Sequence, residues 1–262
     1  MLACGMVGAD GGWWRAGRLD LPVPAEAGSF RPEAVPGACP AVRIVPGLKT
    51  PTDATGASDV IRGEETQVLG ALDRLGHPAE TTLILPGTHT KWLRVAEGKI
   101  VDFTTTMTGE LHAALLEATI LGDPARHAGP DPVLSPQVQA DAFNAGVTHS
   151  LSHPGQPFAA RLFSARTRYL AGELAPAAVS PYLSGLLIGE ETAAMLPAAL
   201  EFGVPMALCA DGPLGGLYQR ALLAQGVQVP LFQDTALDGL RAVARAWGLL
   251  PTTQLTTTVP SS

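Results

Sequence analysis
Charge, aromatic rings and cysteine are all scarce in this chain, and each scarcity excludes something. Of 262 residues only 16% are charged and 5% aromatic, while 46% are hydrophobic. That balance excludes disorder throughout, because there is ample apolar surface to offset the entropy of ordering. The 17 Lys and Arg are scattered singly among 24 Asp and Glu, for a net charge of −7. A basic stripe of the kind that binds nucleic acid or an acidic membrane is therefore missing. Three cysteines, Cys4, Cys39 and Cys209, form no C-x-x-C pair, which argues against a disulfide scaffold or zinc knuckle and suits a reducing, cytoplasmic setting. No run of 18 apolar residues occurs, so no membrane span is expected. Leu2-Ala3-Cys4-Gly5 superficially matches a lipoprotein cleavage box, but no basic or apolar leader precedes it. The phosphate-binding G-x-x-x-x-G-K-[ST], a strand-borne G-x-G-x-x-G, the G-x-S-x-G elbow and H-E-x-x-H are all absent. The six histidines are dispersed; His149 and His153 are four apart, but a Pro-rich context speaks against a helix there, so no metal site is expected.

The length suits two modest domains or one large α/β unit. Apolar runs at 2–7, 42–45, 206–210 and 227–232 predict parallel strands, and those at 82–85, 92–95 and 100–104 predict antiparallel hairpin strands, the last two around Glu97-Gly98-Lys99. Helical periodicity marks 64–75, stopped by Gly76, then 108–121, 180–200, 214–225 and 235–247. Residues 9–40 read as irregular, 49–59 as a polar loop, and 122–160 as Pro-, Gly- and Ser-rich with one short helix near 138–145. Strands alternate with helices, so the class is α/β. The expected division is 1–80 and 81–250, with 251–262, rich in Thr, Ser and Pro, as a frayed tail. Gly63-Glu64-Glu65-Thr66 recurs as Gly189-Glu190-Glu191-Thr192. Coincidence explains this, because acidic residues suit the start of any helix.

Four segments could carry chemistry. Leu85-Pro86-Gly87-Thr88-His89-Thr90-Lys91-Trp92 is a strand emptying into a tight turn, with Gly for close backbone approach, hydroxyls for phosphate oxygens and Lys91 for charge. It reads equally as an ordinary hairpin. Arg62-Gly63-Glu64-Glu65-Thr66 offers a carboxylate base beside an anion anchor, or simply a charged first helical turn. Met206–Leu214 is a strand, a Gly/Pro turn and a helix, able to hold a flat ring or only to connect elements. Gly5-Met6-Val7-Gly8 with Trp13 and Trp14 suits a sugar-like ligand or a packed loop.

In this order the segments resemble the 2-dehydro-3-deoxygalactonokinase family. The resemblance rests on Gly5–Gly8 with Gly12-Trp13, Val45-Pro46-Gly47-Leu48, Arg62–Gln67, Pro86–His89 with Lys91-Trp92, Met107–Leu111, Ser184–Gly189 and the Tyr218–Ala221 helix, covering the chain to about Trp247. It implies two related α/β domains of the actin/hexokinase-type (ribonuclease H-like) kinase architecture, with nucleotide in the cleft between them. By resemblance Glu64 or Glu65 is the base, with Glu64 favoured. Gly87, Thr88, His89 and Lys91 would take phosphate, and Ala210, Asp211, Gly212 and Leu214 the adenosine. Gly5, Met6, Val7, Gly8, Trp13 and Arg62 would take the substrate. The implied activity is transfer of phosphate from ATP, with Mg²⁺, to the terminal hydroxyl of 2-dehydro-3-deoxy-D-galactonate. The implied partner is thus a small sugar acid, without nucleic acid or membrane, and a homodimer is compatible with it.

Departures from the family pattern are Ala9, where serine is usual, a looser adenosine turn, and an Asp-Trp-Gly-Thr-like first phosphate hairpin that is expected upstream of Met1. Two other classes share the architecture: a degenerate sensor that binds sugar acid or nucleotide, and a hydrolase releasing phosphate without an acceptor.

Overall fold
The computed structural model describes residues 1–127 and 134–250, and in it the chain forms two compact units. The first comprises Met1–Pro78, Gly98–Ile100 and the chain from Asp234 onward; the second comprises Ala79–Glu97 and Val101–Gln233. The last helix, Thr235–Ala246, expected within 81–250, belongs to the first unit, because it packs on helix Glu64–Arg74. The expected tail, 251–262, lies outside the described residues.

In the first unit strand Leu2–Ala3 pairs parallel with Arg43–Ile44, which pairs antiparallel with Glu33–Ala34. A second small sheet joins Arg18–Asp20 in parallel to Gly47–Lys49, whose other edge takes Val60–Ile61. Residues 9–40, expected to be irregular, thus contain three short strands, including Val23–Pro24 paired with Lys99-Ile100. Strands of two or three residues are too short to show alternation, and their partners are distant in sequence. The strand expected over 2–7 ends at Ala3 and yields to a 3-10 turn at Gly5–Gly8. Helix Glu64–Arg74 buries Val68, Leu69 and Leu72, with Glu64 and Glu65 in its first turn and Arg74 in its last; the charges of Glu64 and Arg74 complement the helix dipole. Its crossing with Thr235–Ala246 is backbone on backbone. A Cβ on Gly70 would lie 1.9 Å from the Thr235 carbonyl oxygen, and one on Gly239 1.8 Å from that of Thr66. Arg74 and Asp238 pair across the same seam.

The second unit is built on Thr81–Leu85, all five residues buried. It pairs parallel with Met206–Cys209 and antiparallel with Thr90–Ala96, and Met206–Cys209 pairs parallel with Leu231–Phe232. The expected parallel and hairpin strands are present, although the one expected over 227–232 is only its last two residues. Glu97 and Gly98 both have positive φ (50° and 68°), which turns the hairpin into Lys99–Thr106.

Helix Val179–Glu201 is the spine of this unit. Pro176–Glu201 is long and apolar enough to cross a membrane by length and composition, yet it carries Glu190 and Glu191, and over half of its apolar window is buried within the unit. It packs on helix Pro136–Ser152 through glycines: a Cβ on Gly146 would meet the Tyr182 carbonyl oxygen at 2.2 Å, and one on Gly185 that of Phe143 at 2.1 Å. The region 122–160, expected to hold one short helix near 138–145, has among its described residues Asp123–His127, the longer Pro136–Ser152 and the start of Phe158–Leu170. Pro136 opens its helix where a missing N–H costs nothing, and Ser135 Oγ accepts from Val138 N–H as its cap. His149 lies on this helix, against the expectation, and its ring stacks on His153 at 4.6 Å.

Candidate functional site
The first unit brings together two of the singled-out segments. Gly5–Gly8 and Arg62-Gly63 touch backbone to backbone: a Cβ on Gly63 would stand 3.1 Å from Gly5 Cα, and one on Gly8 3.0 Å from Arg62 Nη1. Gly63 also has φ of 109°, which only glycine adopts without strain. Gly12 is needed as well, because a Cβ there would lie 2.4 Å from the Met6 carbonyl oxygen. Next to it Trp13 is exposed, as is Met6.

Arg62 Nη2 donates to the carbonyls of Ala16 and Gly17 at 2.7 and 3.1 Å. Its Nε and Nη1 are buried and have no hydrogen-bond partner. Burial, with Arg18 nearby, lowers the pKa of this guanidinium, so an arriving anion would relieve it.

Glu64 and Glu65 part company. Glu64 is half-buried, and its Oε2 accepts from Arg62 N–H at 3.0 Å. Glu65 is wholly buried; its Oε2 accepts from Gly63 N–H at 2.6 Å, and its Oε1 has no partner. Burial pushes the Glu65 carboxyl up to about 8, with Glu64 adding to the rise and Arg62 opposing it.

The second unit gathers the other two segments. Helix Thr108–Ala118 starts against the Gly87 turn: a Cβ on Gly109 would lie 2.5 Å from the Gly87 carbonyl oxygen, and Glu110 N–H donates to the Thr88 carbonyl at 2.9 Å. His89 Nε2 sits 2.5 Å from Glu110 Oε2 at the exposed tip. Gly87 itself is open, with nothing nearer to a Cβ than the His89 carbonyl oxygen at 3.6 Å. Lys91, expected to supply charge to phosphate, is 5% exposed, and its Nζ donates to the His89 carbonyl at 2.9 Å, bracing the turn.

Ala210 N–H donates to the Phe232 carbonyl, Gly212 turns the chain at φ of 66°, and Asp211 is exposed. Leu214 starts helix Leu214–Leu223 and, with Gly87, Gly109, Ser184 and Tyr218, lines a cavity of ≈ 60 Å³. Among the described residues no three His, Cys, Asp or Glu side chains cluster as a metal would require.

The family model for 2-keto-3-deoxy-galactonokinase matches residues 1–243. The chain belongs to this family. It is 37% identical over 258 residues to a Rhizobium meliloti (strain 1021) protein named a probable 2-dehydro-3-deoxygalactonokinase, covering 95% of this chain and 79% of that one. It is likewise 37% identical over 249 residues to the 2-dehydro-3-deoxygalactonokinase of Escherichia coli (strain K12), covering 94% and 78%. A crystal structure from Sinorhizobium meliloti, described as that of a 2-dehydro-3-deoxygalactonokinase by assignment, superposes with a TM-score of 0.80 at 37% identity, covering 95% of this chain and 80% of its own. The family members are phosphotransferases, and the mixed α/β fold is shared with that structure.

One group that sequence reasoning passed over emerges in this family member. Glu191, in the second copy of the repeated tetrapeptide, is 6% exposed and hydrogen-bonded to Trp92, Thr108 and Tyr218. The repeat itself was the available signal. Gly63 caps a helix start whereas Gly189 lies inside Val179–Glu201, so the two copies stand at different places along a helix, yet both second glutamates are buried.

Proposed function
We propose that this chain is an ATP-dependent kinase that phosphorylates 2-dehydro-3-deoxy-D-galactonate on its terminal hydroxyl, on an actin/hexokinase-type architecture. The observation that carries the reading is the buried Arg62 guanidinium, whose Nε and Nη1 lack hydrogen-bond partners, beside Gly5–Gly8 and Glu64, in a chain of this family. A buried guanidinium charge with unused donors suits a carboxylate, which a sugar acid provides and a neutral sugar does not. Trp13 and Met6 supply apolar cover for the carbon chain.

Between the paired glutamates, Glu64 is the base. It is half-buried and reachable, whereas Glu65 is wholly enclosed and, raised to about 8, is largely protonated at neutral pH. Arg62 N–H holds Glu64 Oε2 in place. In the second unit the open Gly87 turn, with Thr88, offers backbone N–H groups and a hydroxyl to phosphate oxygens, while Ala210–Leu214 takes the nucleoside. Mg²⁺, when bound, neutralises charge on the transferring phosphoryl group. It ordinarily arrives on the nucleotide with most of its waters, so a site without a carboxylate cluster fits it, and no residue here is assigned as its ligand. A donor of this kind places the reaction in the cytoplasm, where ATP is.

The test is ADP formation by the full-length protein with 2-dehydro-3-deoxy-D-galactonate as acceptor. ADP that forms only with the acceptor supports a kinase. Phosphate released without acceptor would identify a hydrolase, and thermal stabilisation by ligand without turnover a sensor.

A further inference from the structure
Within the second unit three segments around the small cavity converge on one carboxylate. Trp92 follows the Gly87 turn on strand Thr90–Ala96, and its Nε1–H donates to Glu191 Oε1 at 2.7 Å. Thr108 begins the helix whose Gly109 closes on Gly87, and its hydroxyl donates to Glu191 Oε2. Tyr218 lies on the helix after the Ala210–Pro213 turn, and its hydroxyl donates to the same oxygen at 2.8 Å. Thr90 Oγ1 stands 2.7 Å from the Tyr218 hydroxyl. A phenol has one proton, and burial together with the Glu191 carboxylate raises the Tyr218 pKa. The proton therefore stays on tyrosine and points to Glu191, and Thr90 must donate to the tyrosine oxygen. Every hydrogen bond in the chain runs toward Glu191.

We infer that Glu191 is a positioning residue for the nucleotide: it sets the spacing between the Gly87 hairpin and the Ala210–Leu214 turn by accepting hydrogen bonds from the segments that carry both. The inference rests on the reading that these two turns take the phosphates and the nucleoside. A carboxylate is required because the groups facing it are donors. In Glu191→Gln the amide –NH₂ must face either the Trp92 N–H, donor against donor, or the two hydroxyls, which reverses the Thr90–Tyr218 chain. Neither arrangement keeps all the segments where they are. The ligands of the first unit do not enter this network, so the effect is specific to nucleotide.

The experiment measures ADP affinity by calorimetry, and KM for both substrates, on the full-length protein and its Glu191→Gln, Tyr218→Phe and Gly87→Val variants. Melting curves serve as the folding check. Glu191→Gln is expected to bind ADP about ten- to a hundredfold more weakly, the usual worth of hydrogen bonds to a charged group, with the sugar-acid KM unchanged. Tyr218→Phe keeps the ring and removes one of the three donors to Glu191, together with the acceptor for Thr90, so it should show a smaller defect of the same kind even if Glu191→Gln melts early. The double variant should lose less than the sum of the two. If Gly87→Val abolishes ADP binding while folded Glu191→Gln and Tyr218→Phe bind it like the parent, the positioning role is overturned and the nucleotide reading stands. Equal losses for ADP and sugar acid in those variants would also overturn it, in favour of a general structural role. If Gly87→Val itself binds ADP normally, the reading of the hairpin falls, and this inference falls with it.

Discussion
A wholly buried carboxyl with one unpartnered oxygen makes the stability of the first unit depend on pH in a definite direction. Glu65 is 0% exposed and raised from 4.5 to about 8, chiefly by burial. Below about pH 4.5 the group is neutral in both the folded and unfolded chains and imposes no cost. Between 4.5 and 8 the unfolded chain loses its proton while the folded one keeps it, so stability falls as pH rises, by about 1.4 kcal/mol per pH unit. Above about 8 the folded state ionises too and the loss levels off, for a total of about 5 kcal/mol at most. Glu65→Gln keeps the shape and the acceptor for Gly63 N–H but cannot ionise. The measurement is urea unfolding of parent and variant at pH 5, 6, 7, 8 and 9. Titrations of the other carboxylates cancel in the difference between the two. Relative to the parent, the variant should gain at least about 2 kcal/mol between pH 5 and 8, then change little. Parallel stability curves across that range would show that Glu65 ionises freely in the folded protein and would refute the reasoning.

Four further outcomes are expected. Glu64→Gln should lower turnover by roughly 10²–10⁴-fold, the usual worth of a positioned base, with ADP affinity measured by calorimetry unchanged. Arg62→Lys keeps the charge but loses the planar guanidinium held by the Ala16 and Gly17 carbonyls, so steady-state kinetics should show the sugar-acid KM raised about tenfold or more with the ATP KM unmoved. Gly87→Ala should melt within about 2 °C of the parent, because its Cβ would have 3.6 Å of clearance, whereas Gly109→Ala, aimed 2.5 Å from the Gly87 carbonyl oxygen, should lose about 1–3 kcal/mol. Gly70→Ala, with its Cβ 1.9 Å from the Thr235 carbonyl oxygen, should destabilise the first unit by a similar or larger amount in thermal melts.

What could be read from the chain before its structure divides along physical lines. Thr81–Leu85 was legible because a strand buried on both faces is a continuous apolar run. The Glu97-Gly98 hairpin was legible because its turn chemistry is local, and helix Glu64–Arg74 because its apolar face and glycine stop are local too. The strands at 18–20, 33–34 and 47–49 were not, since each is two or three residues long and its partner lies at least nine residues away. The helix Pro136–Ser152 was hidden by its own composition. Its proline stands at the one helical position that tolerates it, and Gly146 is a contact with Val179–Glu201 rather than a break. The placement of Thr235–Ala246 was hidden because nothing local marks Gly70 and Gly239 as the point where two helices, far apart in sequence, meet backbone to backbone.

The site shows the limit more sharply. Spacing could bring Arg62 to a helix start, but it could not rank Glu64 over Glu65, because chemistry and sequence distance are identical for the pair. Burial ranks them, and burial depends on what the opposite face of the helix meets. The same holds for Lys91. A lysine after a Gly-Thr turn invites assignment to phosphate, but residues 90–93 are all buried, so strand alternation does not turn Lys91 outward and its charge ends on the His89 carbonyl. Glu191 is the converse case. Its tetrapeptide was visible, and the dipole argument that explains Glu64 at a helix start seemed to cover it. That argument fails at Glu191, which sits in mid-helix, where no free N–H groups wait for a carboxylate. An enclosed acidic side chain there must be held by side-chain donors from elsewhere, and Trp92, Thr108 and Tyr218 are those donors. Position along a helix, which needs only the helix bounds, thus separates a dipole carboxylate from a network carboxylate before any contact is known.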